Sequence, residues 1–281
     1  MIAAVVRALL RRRGGRWGLT LVGLFVAVAL LAPVLSTQSP AAQNLREDLQ
    51  APRAEHPFGQ DKLGRDVLSR VMYGARVSLL VGVCVVAISA GIGLLIGAAA
   101  GYAGGLLDDA LMRAVDILLA FPGILLAIGL SAVLGPSLRN VVLALCAIGW
   151  TAYARLVRGE VLAWRERELV TAAIALGATP LRVVTHHIVP QLLTPLLVQA
   201  TFGMAGAIVA EASLSFLGLG VQPPTPSWGA MVNEGRSFLL VAPHLALFPG
   251  LALVLVVLGL NLVGETLREV LDVREAVTSD E

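Results

Sequence analysis

Six long apolar stretches lie between residues 17 and 263, and they decide the fold class. A helix needs about 20 mainly apolar residues to cross the hydrocarbon core of a bilayer. Each stretch is long enough, so the sequence predicts an all-α integral membrane protein with about six transmembrane helices surrounded by lipid. The predicted spans are residues 17–35, 78–100, 112–134, 140–157, 193–217 and 244–263.

The composition agrees with a membrane protein. Hydrophobic residues make up 57% of the chain and charged residues 14%, against about 45–50% and about 25% in soluble domains. The net charge of +2 gives no broad basic surface, so we expect no nucleic-acid partner. The two cysteines, Cys84 and Cys146, lie in apolar stretches and lack the CxxC spacing of metal and redox sites.

Basic residues at the ends of the spans predict the orientation. Arginines before a first span favour a cytoplasmic N-terminus, and six crossings then return the C-terminus to the cytoplasm. The loop between spans 1 and 2, which this orientation places outside, also carries six basic residues and does not follow the rule. The arginines before the first span are Arg7, Arg11, Arg12, Arg13 and Arg16.

The predicted spans divide the chain into three parts. Residues 1–77 hold a cytoplasmic segment, the first transmembrane helix and a long extracytoplasmic loop. Residues 78–266 hold the other five helices and a cytoplasmic loop at residues 158–192. Residues 267–281 form a cytoplasmic tail.

Four glycines in the second span recur at strict four-residue spacing. They are Gly93, Gly97, Gly101 and Gly105. Residues four apart share one face of a helix, and small residues on that face let another helix approach closely in lipid. The spacing predicts a helix-packing face.

One carboxylate, Glu211, lies inside the fifth predicted span. A charge in hydrocarbon costs about 3 kcal/mol on insertion scales, so the side chain is expected to face protein or a water-filled path. Two interpretations stay open. Glu211 is a pathway or gating residue, or it is a structural hydrogen-bond partner near the membrane edge. Asp116 in the third span raises the same question more weakly.

The chain shows no pattern for a metal, nucleotide or hydrolytic site of its own. His186 and His187 are adjacent, and neighbours on a helix point about 100° apart, which disfavours one shared ion. There is no GxxxxGK[ST] phosphate loop and no recognisable Ser, His and acid set. We therefore expect a non-catalytic chain without a cofactor. If ATP drives it, another polypeptide binds the nucleotide.

The loop after the fourth span has the pattern of a docking element. Residues 166–176 are typical of a helix, and Gly177 suits its end. Thr179 with Pro180 suits the start of a second helix, and Pro190 ends that helix or begins the next element. The pattern predicts a short helical hairpin whose small apolar residues dock into a groove on a partner.

This loop resembles the coupling loop of ABC importer permeases, where Glu-Ala-Ala is followed by three residues, a glycine and an Ile-x-Leu-Pro-like ending. The corresponding residues here are Thr171-Ala172-Ala173, Gly177 and Ile188-Val189-Pro190. Thr171 stands where the family usually has glutamate, which removes a carboxylate that could pair with the ATPase.

Further blocks make the chain similar to the C-type permeases of dipeptide, oligopeptide and nickel importers, from about residue 17 to about residue 273. The blocks are residues 56–70 and 73–79 near the start of span 2, residues 120–122 in span 3, residues 156–160 after span 4 and residues 211–229 after span 5.

The resemblance implies a permease that forms half of a translocation pathway for dipeptides or oligopeptides in the bacterial inner membrane. Its expected partners are a homologous second permease, one or two ABC ATPases that carry ATP and Mg²⁺, and an extracytoplasmic substrate-binding protein. ATPase closure would move the loop and switch the permease between inward- and outward-facing states. The implied coupling residues are Thr171, Ala172, Ala173, Gly177, Ala178 and Arg182.

Other interpretations stay open at this point. Nickel chelates, glutathione and haem are alternative substrates that the sequence does not separate from peptides. An autonomous channel or ion-coupled carrier would need no ATPase, but intramembrane charges are few and the coupling loop argues against it. An intramembrane enzyme would need converging polar side chains, and only Glu211 and Asn261 are deep enough.

Overall fold

The computed structural model describes the backbone of residues 2–279 and the side chains of residues 7–271. Its elements are all helices, with no strand among the described residues. A π-helical stretch, Val183–Ile188, joins α8 to α9. In chain order the helices are α1 (Ile2–Arg11), α2 (Arg13–Leu35), α3 (Val67–Ala103), α4 (Gly105–Ala120), α5 (Gly123–Leu134), α6 (Leu138–Arg165), α7 (Glu168–Ala175), α8 (Pro180–Arg182), α9 (Val189–Phe216), α10 (Trp228–Arg236) and α11 (His244–Ser279).

Five helices are long and apolar enough to cross a membrane, and there are six if the bent pair α4 and α5 counts as one span. The five are α2, α3, α6, the continuous helix Pro180–Phe216 and α11. Each predicted apolar stretch coincides with one of these crossings. The prediction of an all-α membrane fold with about six spans is confirmed.

The third span is broken rather than straight. α4 and α5 meet at an angle of 86°, and Phe121 between them has an extended backbone with ψ 139°. The cause is Pro122, which has no N–H to donate and disfavours a helical conformation in the residue before it. The prediction of one uninterrupted helix over residues 112–134 is wrong at this point.

Two spanning helices are longer than their apolar stretches. α3 begins at Val67, where the Asp66 carboxylate accepts a hydrogen bond of 2.7 Å from the Ser69 N–H. Its 37 residues measure about 55 Å, against about 30 Å of hydrocarbon. The predicted domain boundary at residue 77 therefore lies inside α3. At the other end of the chain, α11 continues through the predicted tail to Ser279, and residues 280–281 of that tail lie outside the described residues.

Glycines create the close contact between the parallel helices α3 and α6. A Cβ atom added to Gly93 would lie 2.8 Å from the Ala154 nitrogen, and one added to Gly97 would lie 2.5 Å from the Ala154 carbonyl oxygen. At Gly101 the nearest atom would be the Arg158 carbonyl oxygen, at 2.9 Å. The two backbones therefore touch along three successive turns.

Gly105 does not share this face, which corrects the predicted set of four. The chain turns at Gly104 (φ +64°), so Gly105 begins α4, and a Cβ there would meet no atom within 4 Å. The contact extends in the other direction instead. The Ser89 hydroxyl lies close to the Cα of Gly149 on α6.

The helices leave two distinct ends. At one end, which we call the cap, residues 44–66 pack with α10 and the start of α3. At the other end, which we call the hairpin, residues 168–190 fold against α6. α3 and α6 both run from the cap end to the hairpin end, so their glycine contact connects the two.

Candidate functional site

The turn of the hairpin is a helix end that depends on glycine. α7 ends at its C-cap residue Leu176, and Gly177 follows with φ +85°. The Ala178 N–H donates to the Ala173 carbonyl over 3.0 Å, and the Gly177 N–H donates to the Ile174 carbonyl over 2.9 Å. A positive φ at this position is the usual glycine-dependent termination of a helix, so Gly177 ends α7 as expected.

The second arm of the hairpin differs from the prediction. Pro180 occupies the first turn of α8, but Thr179 makes no side-chain capping hydrogen bond. The helix does not end at Pro190. It passes through the π-helical stretch and continues to Phe216. Pro190 is tolerated because it lies in the first turn after that stretch, where a missing N–H costs least.

The inner face of the hairpin is a small apolar cluster. Its fully buried members come from both arms and from α6, and they are Val157, Val161, Val170, Val183, Ile188 and Leu192. Ala173 is 9% exposed and Ala178 packs at the edge of this cluster. These two residues of the implied coupling set therefore face the permease itself.

The outer face of the hairpin is exposed and partly apolar. Thr171, Ala172, Gly177 and Arg182 are exposed there. Leu176 and Leu181 lie beside them with exposed fractions of 89% and 74%. Clustered exposed apolar side chains of this kind are typical of a site that contacts another protein or a membrane. No salt bridge forms between two hairpin residues in the described part of the chain.

Glu211 is buried between α9 and α10. Its Oε1 atom accepts a hydrogen bond of 2.7 Å from Ser215 and one of 2.8 Å from Ser227, the N-cap residue of α10. The side chain is 0% exposed. This geometry links the start of α10 to the membrane helix α9 and agrees with the structural interpretation of Glu211. A gating role stays a prediction. Asp116 differs, since it is exposed and pairs with Arg155 over 2.6 Å.

Three neighbouring cavities lie among the spanning helices. A cavity of about 290 Å³ lies between α3, α5, α6 and α9. It adjoins one of about 540 Å³ along α9 and α11 through Ile124, Gly206 and Ala210. That cavity in turn adjoins one of about 780 Å³ near α10. Ser213 and Asn261 line both of the last two cavities. Polar side chains at membrane depth face protein or water rather than lipid.

The cap contains a buried charge network that the sequence did not indicate. Arg65 donates to Asp61 over 2.6 Å and to Glu234 of α10 over 2.9 Å. Arg70 lies 3.1 Å from Asp61 and 3.4 Å from Glu234. Both arginine side chains are 4% exposed. One signal in the sequence was the excess of basic residues in the loop between spans 1 and 2. Two of these six residues, Arg65 and Arg70, are neutralised by carboxylates within the fold.

Three further titratable groups of the cap region contact neighbouring polar groups. The His56 ring lies 2.9 Å from the Asp66 carboxylate, and His244 lies 3.5 Å from the Gln60 carbonyl. On the exposed Glu47, the Arg53 guanidinium lowers the pKa of the carboxyl. Among the described residues, no three His, Cys, Asp or Glu side chains come together in a metal-binding group.

Two family models match the chain. The model of the binding-protein-dependent transport system inner membrane component matches residues 93–276. The model of the N-terminal TM domain of oligopeptide transport permease C matches residues 2–52.

Curated relatives match over most of the chain. A putative peptide transport system permease protein of Brucella suis is 47% identical over 97% of this chain and 92% of its own. The dipeptide transport system permease protein DppC of Alkalihalophilus pseudofirmus is 46% identical over 91% and 84%. The glutathione transport system permease protein GsiD of Escherichia coli is 48% identical over 79% and 73%.

A solved structure shares the fold. It is the MetNI methionine ABC transporter in inward-facing conformations, which matches with a TM-score of 0.54 and 20% identity over 73% of this chain and 95% of that chain. The chain is therefore a multi-pass membrane permease that belongs to the family of binding-protein-dependent transport system inner membrane components.

Proposed function

We propose that this permease forms half of the translocation pathway of an ATP-driven importer of dipeptides or oligopeptides. The observation that carries the proposal is the similarity to peptide and dipeptide permeases, at 46–47% identity over more than nine tenths of the chain. A homologous second permease would supply the other half of the pathway. An extracytoplasmic binding protein would deliver the peptide.

In this proposal the hairpin is the contact with the ATPase. Its exposed leucines, Leu176 and Leu181, and the exposed backbone at Gly177 would enter a groove of the ATPase. Ala173 and Ala178 would not contact the ATPase; they would keep the hairpin packed on α6. ATP and Mg²⁺ would be bound by the ATPase subunits, and this chain would carry out no chemistry.

The hairpin and both termini would lie in the cytoplasm, and the cap outside. The arginines before α2 support this orientation through the positive-inside rule. The cap network also supports it, because two of the six basic residues in the outside loop, Arg65 and Arg70, are paired with carboxylates. The neighbouring cavities would face the second permease, since the Asn261 side chain that lines two of them is unsuited to lipid.

Glutathione is the second candidate substrate. The supporting observation is the 48% identity to the GsiD glutathione permease, over 79% of this chain. Glutathione is itself a small peptide, so the two candidates differ in the binding protein and in details of the pathway rather than in the transport cycle.

The test begins with the chain tagged in its native host and extracted in mild detergent. Mass spectrometry of the purified material should find a second permease and one or two ATPases. The complex is then reconstituted in liposomes with its binding protein, and uptake of a labelled dipeptide, an oligopeptide and glutathione is compared. Recovery of the chain alone, in a form that transports without ATP, would overturn the proposal in favour of an autonomous channel or carrier.

A further inference from the structure

The cavity of about 290 Å³ is a chamber near the middle of the membrane helices. Its wall on α9 is a single helix face, because Gln199, Gly203, Gly206, Ala207 and Ala210 follow at spacings of four, three, one and three. The small side chains on this face create the space. Gln199 is the one polar residue among these five.

A buried hydroxyl lines this chamber without a partner. Tyr153 of α6 is 3% exposed, and its hydroxyl has no hydrogen-bond partner in the described part of the chain. The hydroxyl lies against Gly203, where a Cβ atom would collide with it. A buried polar group without a partner is costly. Tyr153 is therefore positioned for a partner that the chain itself does not provide.

The start of α5 adds further donors to the chamber. Gly123 and Ile124, the first residues of this 12-residue helix, line the same space. The N–H groups of Leu125 and Leu126 donate to the Pro122 carbonyl, whereas those of Gly123 and Ile124 have no acceptor within the helix, and this end carries a partial positive charge. Because Pro122 breaks the third span, this helix end lies at the chamber, partway along the crossing.

The chamber adjoins the proposed pathway. Ile124, Gly206 and Ala210 line both the chamber and the neighbouring cavity along α9 and α11, which carries Ser213 and Asn261. These shared residues place the chamber next to the cavity in which a substrate would pass. In other transporters, the N-terminal ends of broken helices near the membrane midplane point at anionic substrate groups.

From this juxtaposition we propose that Tyr153, Gln199 and the first turn of α5 form a contact site for an oxygen of the peptide main chain during passage. The inference rests on the proposed function as a peptide importer. The hydroxyl and the amide can donate hydrogen bonds, and the helix N–H groups can only donate, so the ligand atom that all three share is an acceptor. It is the C-terminal carboxylate or a carbonyl of the peptide, and the apolar walls accommodate the neighbouring side chain.

The test uses the complete complex in liposomes, supplied with peptide-loaded binding protein and ATP. Tyr153→Phe removes the hydroxyl alone, and Gln199→Met removes the amide at similar size. For each variant we expect about fivefold fewer dipeptides imported per ATP hydrolysed, the effect of one lost hydrogen bond. Stimulation of the ATPase by binding protein should persist. Tyr73→Phe, on α3 outside the chamber, is the matched control and should match wild type.

Two peptides identify the acceptor. Import of a dipeptide and of its C-terminal amide is measured for each variant, relative to import of the same compound by the wild-type complex. If the variants lose more import of the free acid than of the amide, the acceptor is the carboxylate. If they lose import of both compounds equally, the acceptor is a carbonyl. An unchanged ratio of peptide to ATP in assembled Tyr153→Phe and Gln199→Met complexes would overturn the inference. If the Tyr153→Phe complex does not assemble, the ratio of peptide to ATP in the Gln199→Met complex alone tests the inference. A wild-type complex that imports no peptide would overturn the proposed substrate instead.

Discussion

The cap and the hairpin lie at opposite ends of α3 and α6 and are stabilised in opposite ways. The cap satisfies its charges internally, since Arg65 and Arg70 are buried against Asp61 and Glu234. The hairpin is packed on one side by apolar residues and exposes Leu176 and three other large apolar side chains on the other. The buried charges of the cap are therefore paired within this chain, whereas the apolar outer face of the hairpin is left uncovered by it.

This difference indicates what each end does. A buried network of paired charges tolerates little rearrangement, because any displacement leaves a charge unpaired. An apolar surface held by a few valines can move as a unit and gains stability when a partner covers it. The cap suits a fixed platform, and the hairpin suits the moving contact that the proposed coupling to an ATPase requires.

The largest effect is expected for Asp61→Asn in the cap. The amide oxygen of the new asparagine can still accept hydrogen bonds from the backbone N–H groups of Leu63 and Arg65, which donate to Asp61 Oδ1 in the wild-type protein. The negative charge between Arg65 and Arg70 is lost, however. Removing one partner of a buried ion pair costs about 3–5 kcal/mol. Thermal unfolding in detergent should show a matching loss of stability.

The control is Asp116→Asn, which removes an ion pair of the same length in an exposed place. Asp116 and Arg155 are 2.6 Å apart with side-chain exposures of 65% and 56%, so the loss should be at most about 1 kcal/mol. Equal effects of the two substitutions would mean that the cap is not the fixed end, and the comparison of the two ends would fail.

The second prediction concerns the glycine contact that joins the two ends. Gly97→Ala places a Cβ atom 2.5 Å from the Ala154 carbonyl oxygen, so α3 and α6 must separate, at a cost of about 1–3 kcal/mol. Gly91→Ala in the same helix meets no atom within 4 Å and should be neutral or stabilising. The two midpoints of unfolding in detergent are compared. Equal midpoints would show that the contact does not hold the ends together.

Predictability from sequence also differs along the chain. The spans were predictable because the thickness of the bilayer imposes a length on any apolar helix. The bend of 86° at Pro122 was not, because the apolar stretch from residue 117 to residue 134 runs across Pro122 without a charged residue. The cap network was out of reach, because Arg65 and Glu234 are 169 residues apart and no local pattern relates them.

The candidate site was predictable where it rests on local backbone chemistry. Gly177 was identified because only a residue that tolerates positive φ ends a helix in this way. For Pro190 the sequence left open a helix end or the beginning of the next element, because a proline suits both, and the structure has the second, with Pro190 in the first turn of α9. The separation of Ala173 and Ala178 from the exposed residues depends on packing against α6, which sequence spacing does not reveal.

The third prediction places the change in the hairpin. Gly177→Val forces a β-branched residue to φ +85°, which costs about 1–2 kcal/mol. Because a Cβ at this position meets no atom within 4 Å, the effect is on the backbone of the turn and not on packing. Membrane insertion should be intact, while ATP hydrolysis should no longer drive uptake in liposomes.

Two further variants sharpen this result. Gly177→Asn tolerates positive φ and should keep part of the uptake. Gly159→Val introduces the same side chain on an exposed face of α6 with ordinary helical backbone, and should leave coupling unchanged. Normal uptake by stably expressed Gly177→Val protein would contradict the assignment of the hairpin to coupling.

The smallest effect is expected for Thr171→Glu, which restores the residue usual in related coupling loops. Thr171 is exposed near the start of α7, and its hydroxyl bonds only to the Arg167 carbonyl within its own turn. A carboxylate there interacts favourably with the helix dipole by about 0.3 kcal/mol, so unfolding should scarcely change. If this position faces the ATPase, complex assembly should be retained with Thr171→Glu and with the uncharged Thr171→Gln, and reduced by the reversed charge of Thr171→Lys. Loss of assembly with Thr171→Glu alone would mean that this interface has diverged from the family, with threonine now required where a carboxylate is usual.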